Sequence, residues 1–405
     1  MRSTSWQPFD EANAYARCPR VPREAQLCDA PFLHAGSRGR RGAWPLPVNA
    51  DLERLGWRRV AAAFEQYAVD GLRPGRVALE HTHIYRVLTA EGEWLARVSG
   101  RLRHRAGSRV DFPAVGDWVA LEPRAPGSDA RIHAVLPRFS RFSRRAAGEP
   151  TEEQIVAANI DVVFIVTGLD HDFNLRRLER YLVVGRESGA TPVIVLNKSD
   201  LVEDARVYVE QVAAVAPGVP VHAVSCRVAS SVGTLRAHLG FGQTGALLGM
   251  SGVGKSSIVN ELIGEELLPT RDVREWDSRG RHTTTARQLV LLPGTGVLID
   301  TPGMRELQLW ETSAGLEGTF GDIEQLASDC RFRDCRHERE PGCAVRAAVE
   351  SGELSEARFA SYQKLRQEQA FQARQQDQRA QIEEKRKARI AGKALNKRLK
   401  DKHGD

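Results

Sequence analysis

The sequence predicts a multidomain protein: a small β-barrel of OB type, an α/β unit of P-loop type, and a mainly helical unit organised by cysteine and histidine. Three observations predict it. Five short alternating segments crowd between residues 76 and 136. After about Pro150, apolar strands alternate with amphipathic helices, and Cys330, Cys335, His337 and Cys343 then fall within fourteen residues.

A chain of 405 residues exceeds one ordinary domain, and 41% hydrophobic with 27% charged content is normal for soluble globular protein. No run approaches the roughly 18 apolar residues of a membrane span, and no apolar signal core opens the chain. A cytoplasmic monomer with no membrane partner is expected. Residues 1–50 are rich in Arg, Pro and Gly, and with Asp10, Glu11, Glu24 and Asp29 among them they read as a disordered extension rather than a transit peptide. From Ser361 onward, 13 Lys and Arg stand against 6 Asp and Glu, so this tail alone accounts for the net charge of +6. Such a basic block suits a phosphate backbone, the alternative being a solvated charged helix.

From Asp51 to about Val69, Leu52, Leu55, Val60, Ala63, Phe64 and Tyr67 share one helical face. The segments RVALEH, HIYRVLTA, EWLARV, DWVALEP and RIHAVL follow as the barrel strands. Between the third and fourth lies a basic loop carrying Arg101, Arg103, His104, Arg105 and Arg109, with Tyr85 and Trp94 as candidate base-stacking aromatics. Next come strand DVVFIVTGL, a helix around LRRLERYLVVGRE, strand PVIVLNK, helix ARVYVEQVAAVA, strand PVHAVS, a short helix near Leu235 and strand GALLGM. A helix opens at Ser256, ARQLVLL and GVLIDT complete a parallel sheet, and the Gln-, Arg- and Lys-rich stretch at the end reads as an exposed helix.

Gly249, Met250, Ser251, Gly252, Val253, Gly254, Lys255 and Ser256 satisfy G-x-x-x-x-G-K-[ST] between a strand and a helix, with Ser257 next in the turn. Glycines let backbone NH groups turn inward around phosphate, and the helix amino end favours negative charge. Lys255 would span the β and γ phosphates, and Ser256 would meet Mg2+. A phosphate cradle does not reveal the base. Asn197-Lys198-Ser199-Asp200 does, because a carboxylate at Asp200 accepts from both the ring NH and the exocyclic amine of guanine, a donor pair adenine lacks. Asn197 would brace the other purine edge, the Lys198 stem would cover the ring, and Ser225-Cys226 supplies the remaining guanine loop.

Asp300-Thr301-Pro302-Gly303 ends the last strand, Asp300 placed to hold Mg2+ through water and the Gly303 NH to sense the γ phosphate. In Gly280-Arg281-His282-Thr283-Thr284-Thr285, Thr284, or else Thr283, would complete the Mg2+ shell. Where Ras-type enzymes orient water with Gln after the switch-two glycine, this chain has Met304, leaving His282 as the nearest catalytic candidate beside Lys255. Both guanine loops precede the P-loop, so the order of a standard G domain is circularly permuted, with the cut after switch two. The Cys/His unit is thereby tied to a segment that responds to the γ phosphate and is well placed as a moving part.

Three thiolates and one imidazole suffice to close a tetrahedral structural Zn2+ site. Arg331, Arg333, Arg336, His337 and Arg339 would give it a phosphate-seeking surface. The expected domains are thus residues 1–50 (extension), 51–148 (helix plus RNA-binding OB barrel), 149–311 (permuted G domain), 312–360 (zinc unit) and 361–405 (basic tail).

With NKSD, Ser225-Cys226, GMSGVGKSS, GRHTTT, DTPG and Cys-x4-Cys-x-His-x5-Cys in that order behind a barrel, the chain resembles the small-ribosomal-subunit-dependent GTPases often called RsgA or YjeQ, over about Leu52 to Ala360. The resemblance implies a late maturation factor that binds ribosomal RNA, with GTP hydrolysis stimulated by the small subunit and His282 in the hydrolytic role. Two other readings stand beside it: an RNA-binding assembly protein that uses GTP only to control affinity, and a permuted GTPase acting on another RNA particle.

Overall fold

The computed structural model describes residues 51–81, 84–123, 128–146, 149–171, 173–264, 288–300, 313–375 and 389. The extension, His282, Thr283, Thr284, Gly303, Met304 and most of the basic tail lie outside the described residues.

The expected first helix is shorter than its apolar pattern. Turns and a 3-10 segment, Trp57–Arg59, lead to α1 (Ala61–Ala68). Gly56 is the cause: it adopts φ +88°, and a Cβ there would sit 2.6 Å from the Gly242 carbonyl oxygen. Leu55, Val60 and Phe64 are nonetheless buried as the spacing requires. Replacing fully buried Leu55 with Ala would remove packing worth about 2–5 kcal/mol.

Strands β1 (Arg73–His81), β2 (Ile84–Thr89), β3 (Gly92–Val98), β4 (Trp118–Glu122) and β5 (Ala130–Val135) form the expected barrel. Their order is β1-β2-β3-β5-β4, and β4 pairs back onto β1 through Arg73–Arg76 against Trp118–Leu121, which closes the sheet and removes its edges. Val77, Tyr85, Val87, Ala96, Val119, Leu121 and Ile132 fill the interior. Tyr85 is therefore not a stacking platform, and Trp94 packs half-buried against the same core. The basic loop is also corrected. It contains the short helix α2 (Gly100–Arg105), because the Ser99 hydroxyl accepts from the Leu102 NH at 3.1 Å and no breaker intervenes before Gly107. Arg101, Arg103, His104, Arg105 and Arg109 remain exposed on it and just beyond.

A hairpin absent from the expected elements follows, β6 (Arg141–Ala146) against β7 (Glu149–Ala158). The sheet then receives β8 (Val162–Gly168), α3 (Leu175–Glu187), β9 (Thr191–Asn197), α4 (Ala205–Val215), β10 (Val221–Ala223), α5 (Ala229–Gly233), β11 (Thr244–Leu248), α6 (Lys255–Ile263), β12 (Gln288–Leu291) and β13 (Val297–Asp300). The order is β10-β9-β8-β11-β13-β12. The first five run parallel, whereas β12 is antiparallel to β13, because the short turn through Gly294 can make only a hairpin.

Buried polar contacts join barrel and sheet. Arg76, fully buried, donates from Nε to the Gly116 carbonyl at 3.1 Å, from Nη2 to Asn159 at 3.0 Å and from Nη1 to Leu55. Burial pushes its guanidinium pKa down to about 10, so it stays charged at neutral pH. Asp117, likewise buried, accepts from Arg138 at 2.6 and 2.8 Å.

Behind the sheet come α7 (Ser313–Thr319), α8 (Gly321–Ser328), the Cys/His loop, α9 (Ala344–Ser351) and α10 (residues 356–375). The sequence reading of α10 as an exposed helix needs correction over this stretch, since Tyr362, Leu365 and Gln372 are buried. Among the described residues, no helix is long and apolar enough to cross a membrane.

Candidate nucleotide site and metal centre

Parallel β9, β10, β11 and β13 place their carboxyl ends along one edge of the sheet, where open α/β sheets bind ligands. Asn197 ends β9, Ser225 and Cys226 follow β10, Gly249–Gly254 follow β11, and Asp300 ends β13. Loops far apart in the chain therefore meet.

The contacts among them are specific. Buried Asn197 donates from Nδ2 to the Val253 carbonyl at 2.8 Å, tying the NKSD turn to the P-loop, and the Cys226 thiol lies 3.6 Å from its Oδ1. Gly254 adopts φ +94° at the start of α6, and a Cβ on it would fall 2.2 Å from the Asn197 Nδ2, so glycine is required there. Lys255 Nζ donates to the carbonyls of Gly249 at 2.8 Å and Met250 at 2.6 Å, which curls the loop around its own ammonium. Ser251 and Gly252 are exposed at the rim, and Ser256 and Ser257 are half-buried in the first turn of α6.

Asp200 accepts on Oδ1 from the Ser225 hydroxyl at 2.6 Å, and its Oδ2 pairs with Arg227 Nη1 at 3.0 Å. The Ser225 hydrogen bond, with help from the Arg227 and Lys198 charges, holds its carboxyl below the usual range. The group is ionised at neutral pH and can accept two hydrogen bonds side by side. Lys198 stands in the left-handed region at φ +63°, its Nζ 2.5 Å from Asp170 Oδ2. Ser199 donates its NH to the Val224 carbonyl at 3.1 Å, which ties the NKSD turn to β10. Sequence reasoning missed Asp170 and Arg227, since neither belongs to a motif; both are found only through the residues they touch.

Burial pushes the Asp300 carboxyl up to about 6, against the opposing pull of the Lys255 charge. The sign follows directly. A carboxylate whose folded pKa exceeds its unfolded value costs stability wherever the unfolded group is ionised, here no more than about 3 kcal/mol above pH 6, and the cost shrinks as pH falls from about 6 to about 4. Asp300→Asn is therefore expected to raise the midpoint of thermal unfolding of the nucleotide-free protein at pH 7.5 and to raise it by only about half as much at pH 5. A scan at both pH values checks this.

In the second centre, Cys330 Sγ lies 3.8 Å from Cys343 Sγ and 3.6 Å from His337 Nδ1, and His337 Nδ1 lies 3.4 Å from Cys343 Sγ. With Cys335 included, all four donor atoms lie within 4.8 Å of one another. A tetrahedral ion with bonds of about 2.3 Å to sulfur and about 2.05 Å to nitrogen would separate two sulfurs by about 3.8 Å and sulfur from nitrogen by about 3.6 Å. The cluster can hold a metal ion of that size. The Glu340 carboxylate accepts from the NH groups of Arg336, Glu338 and Arg339 at 2.9–3.0 Å, which stiffens the loop and lowers its pKa to about 2. Arg331, Phe332, Arg333, Arg336 and Arg339 are exposed around it.

Fold and site together define a P-loop GTPase whose guanine-type loops precede its phosphate loop, joined to an OB-like barrel and a Cys/His module. The RsgA GTPase family model matches residues 135–310. A protein of Opitutus terrae named small ribosomal subunit biogenesis GTPase RsgA is 50% identical over 337 residues, spanning 80% of this chain and 92% of that one. A namesake from Syntrophotalea carbinolica is 41% identical, spanning 88% and 99%. Among solved structures, YjeQ from Thermotoga maritima aligns with TM-score 0.55 at 27% identity, covering 74% of this chain and 99% of its own. YloQ, described as a circularly permuted GTPase, aligns with TM-score 0.53 at 25% identity, covering 76% and 96%. The chain belongs to the RsgA GTPase family.

Proposed function

We propose that the protein is a late-stage maturation factor of the small ribosomal subunit that binds ribosomal RNA and hydrolyses GTP to GDP and phosphate, its turnover stimulated by that subunit. The observation that carries the nucleotide half is the 2.8 Å hydrogen bond from Asn197 to Val253, which ties the candidate base-reading loop to the candidate phosphate loop. The particle is carried over from the names of its relatives. In this reading Asp200 accepts from guanine, Asn197 and Ser225 brace the site, Lys198 covers the ring and Gly249–Gly254 cradle the phosphates. Lys255 neutralises the β and γ oxygens. Ser256, Asp300 and Thr284 or Thr283 attend Mg2+, Gly303 senses the γ phosphate, and His282 orients or deprotonates water. Magnesium supplies charge neutralisation on the phosphates when bound.

Slow intrinsic turnover is expected, because Met304 stands where a water-orienting glutamine would. The exposed arginines of α2 and of the Cys/His loop suit phosphate contacts whose affinity falls with salt. GTP hydrolysis measured with and without purified small subunits tests the reading. A rise of at least about 10²-fold is expected, by analogy with other partner-activated GTPases; no stimulation would overturn it in favour of a nucleotide-controlled binding protein.

The ion of the Cys/His centre is proposed to be Zn2+, since three thiolates and one imidazole leave no ligand position open. Its role is structural. Chelation is expected to speed amide exchange across residues 329–343 on the order of 10²-fold or more. The helices at 313–328 should keep their protection, because Phe320 and Ile323 are fully buried in the main core, which extends beyond the Cys/His loop to Leu182 and Val183 of α3.

A further inference from the structure

We infer that α10 is a strut that locks the Cys/His module to α3, so that the module and the nucleotide-binding sheet move as one body. Its placement behind Asp300 would otherwise make the module a free lever. The fold anchors it instead.

Arg358 in α10 is the centre of the lock, its side chain only 8% exposed. It donates from Nε and Nη2 to the two carboxylate oxygens of Asp322 in α8 at 2.7 and 2.8 Å. From Nη1 it donates to Glu179 of α3 at 2.9 Å and to the Val215 carbonyl at the end of α4 at 3.4 Å, and from Nη2 to Thr319 of α7 at 3.0 Å. The Phe320 ring lies 4.9 Å beneath the guanidinium. One planar fork thus fixes α3, α4, α7, α8 and α10 together.

Further contacts repeat the attachment. Arg180 of α3 grips Glu368 of α10 with bonds of 2.5 and 2.8 Å. Tyr362 Oη donates to Glu324 of α8 at 2.7 Å, and Phe359 packs edge-on to the ligand imidazole of His337. Helix α7 meets α3 without room between them, since a Cβ on Gly315 would lie 2.5 Å from the Val183 carbonyl oxygen. Glu179 is fully buried and is shared by Arg176 and Arg358, so sliding α10 would strip it of its buried partner and leave only the part-exposed Arg176 of its own helix. Such a network holds one discrete arrangement rather than a range. Rotation of the module against the sheet is thereby blocked whichever nucleotide is bound, a consequence that rests on the GTP reading proposed above; the lock itself does not.

The test uses the full chain with its metal. Genetically encoded labels at exposed Val207 on α4 and at Glu353 report the separation of sheet and module with GDP and with a non-hydrolysable GTP analogue. The wild type should give one narrow distance, the same with both nucleotides. Arg180→Glu and Glu368→Arg should each add a second, longer population, and the double exchange, which restores opposite charges, should remove it. A wild-type distance that changes with nucleotide would overturn the inference, as would single variants indistinguishable from wild type or a double exchange without rescue. Guanine and adenine affinities measured on the same samples keep the two readings apart. Lost guanine preference would sink the nucleotide assignment while leaving the distances to judge the lock.

Discussion

Lys255→Ala is expected to lower GTP turnover by about 10²- to 10³-fold, the scale for removing one preorganised positive donor from a charge-developing reaction. The reasoning starts from the loop itself. The ammonium is held by the carbonyls of Gly249 and Met250, so it stands in place before substrate arrives and little reorganisation is needed when phosphate oxygens approach. The same charge lowers the pKa of Asp300, which burial has already pushed up to about 6. Without Lys255 that carboxyl should rise further, and a protonated Asp300 is a much weaker acceptor for a magnesium-bound water. The variant should therefore lose Mg2+-dependent affinity as well as rate, and most steeply below pH 7. Steady-state hydrolysis across pH 6–8 at several Mg2+ concentrations checks both. An activity equal to wild type would remove the P-loop from the mechanism.

Asp200→Asn is expected to cost GTP affinity on the order of 10²- to 10³-fold, because two charge-assisted hydrogen bonds of roughly 1.5–3 kcal/mol each are replaced by a mismatched amide. In the proposed reading the wild-type carboxylate accepts from two guanine donors, and Ser225 steadies one of its oxygens at 2.6 Å. An asparagine presents one acceptor and one donor. It thus fits a purine with a carbonyl in place of the exocyclic amine, and xanthosine triphosphate should bind the variant better than GTP does. Competition titrations with GTP and xanthosine triphosphate read the reversal. Because Asp200 is exposed and ends no core contact, the folded state should survive the change.

The barrel strands were legible because each keeps one face inward, so alternation survives in RVALEH and EWLARV. Type of surroundings was not: Tyr85 looks the same in sequence whether it fills a barrel or stacks on a base, and only closure of β4 onto β1 decides. The nucleotide loops were legible through spacing, since phosphate and guanine demand particular residues at particular offsets. Their convergence is a property of strand order, which puts β9, β10 and β11 in one sheet whatever their sequence order. Asp170 and Arg227 carry no pattern and were found only through Lys198 and Asp200. The hairpin of β6 and β7 escaped because its strands are largely polar. Arg358 belongs to no motif, and its partner Glu179 lies 179 residues away, beyond any local signal. Gly56, by contrast, stopped the first helix for a reason of close backbone approach that apolar spacing cannot register.

The most direct measurement is equilibrium titration of the wild-type protein with GTP and with ATP in the presence of Mg2+. A base-reading carboxylate joined to the phosphate loop through Asn197 predicts that GTP binds at least about 10³-fold more tightly, since adenine leaves that carboxylate without donors and meets it with an acceptor. Equal affinity for the two nucleotides would contradict it.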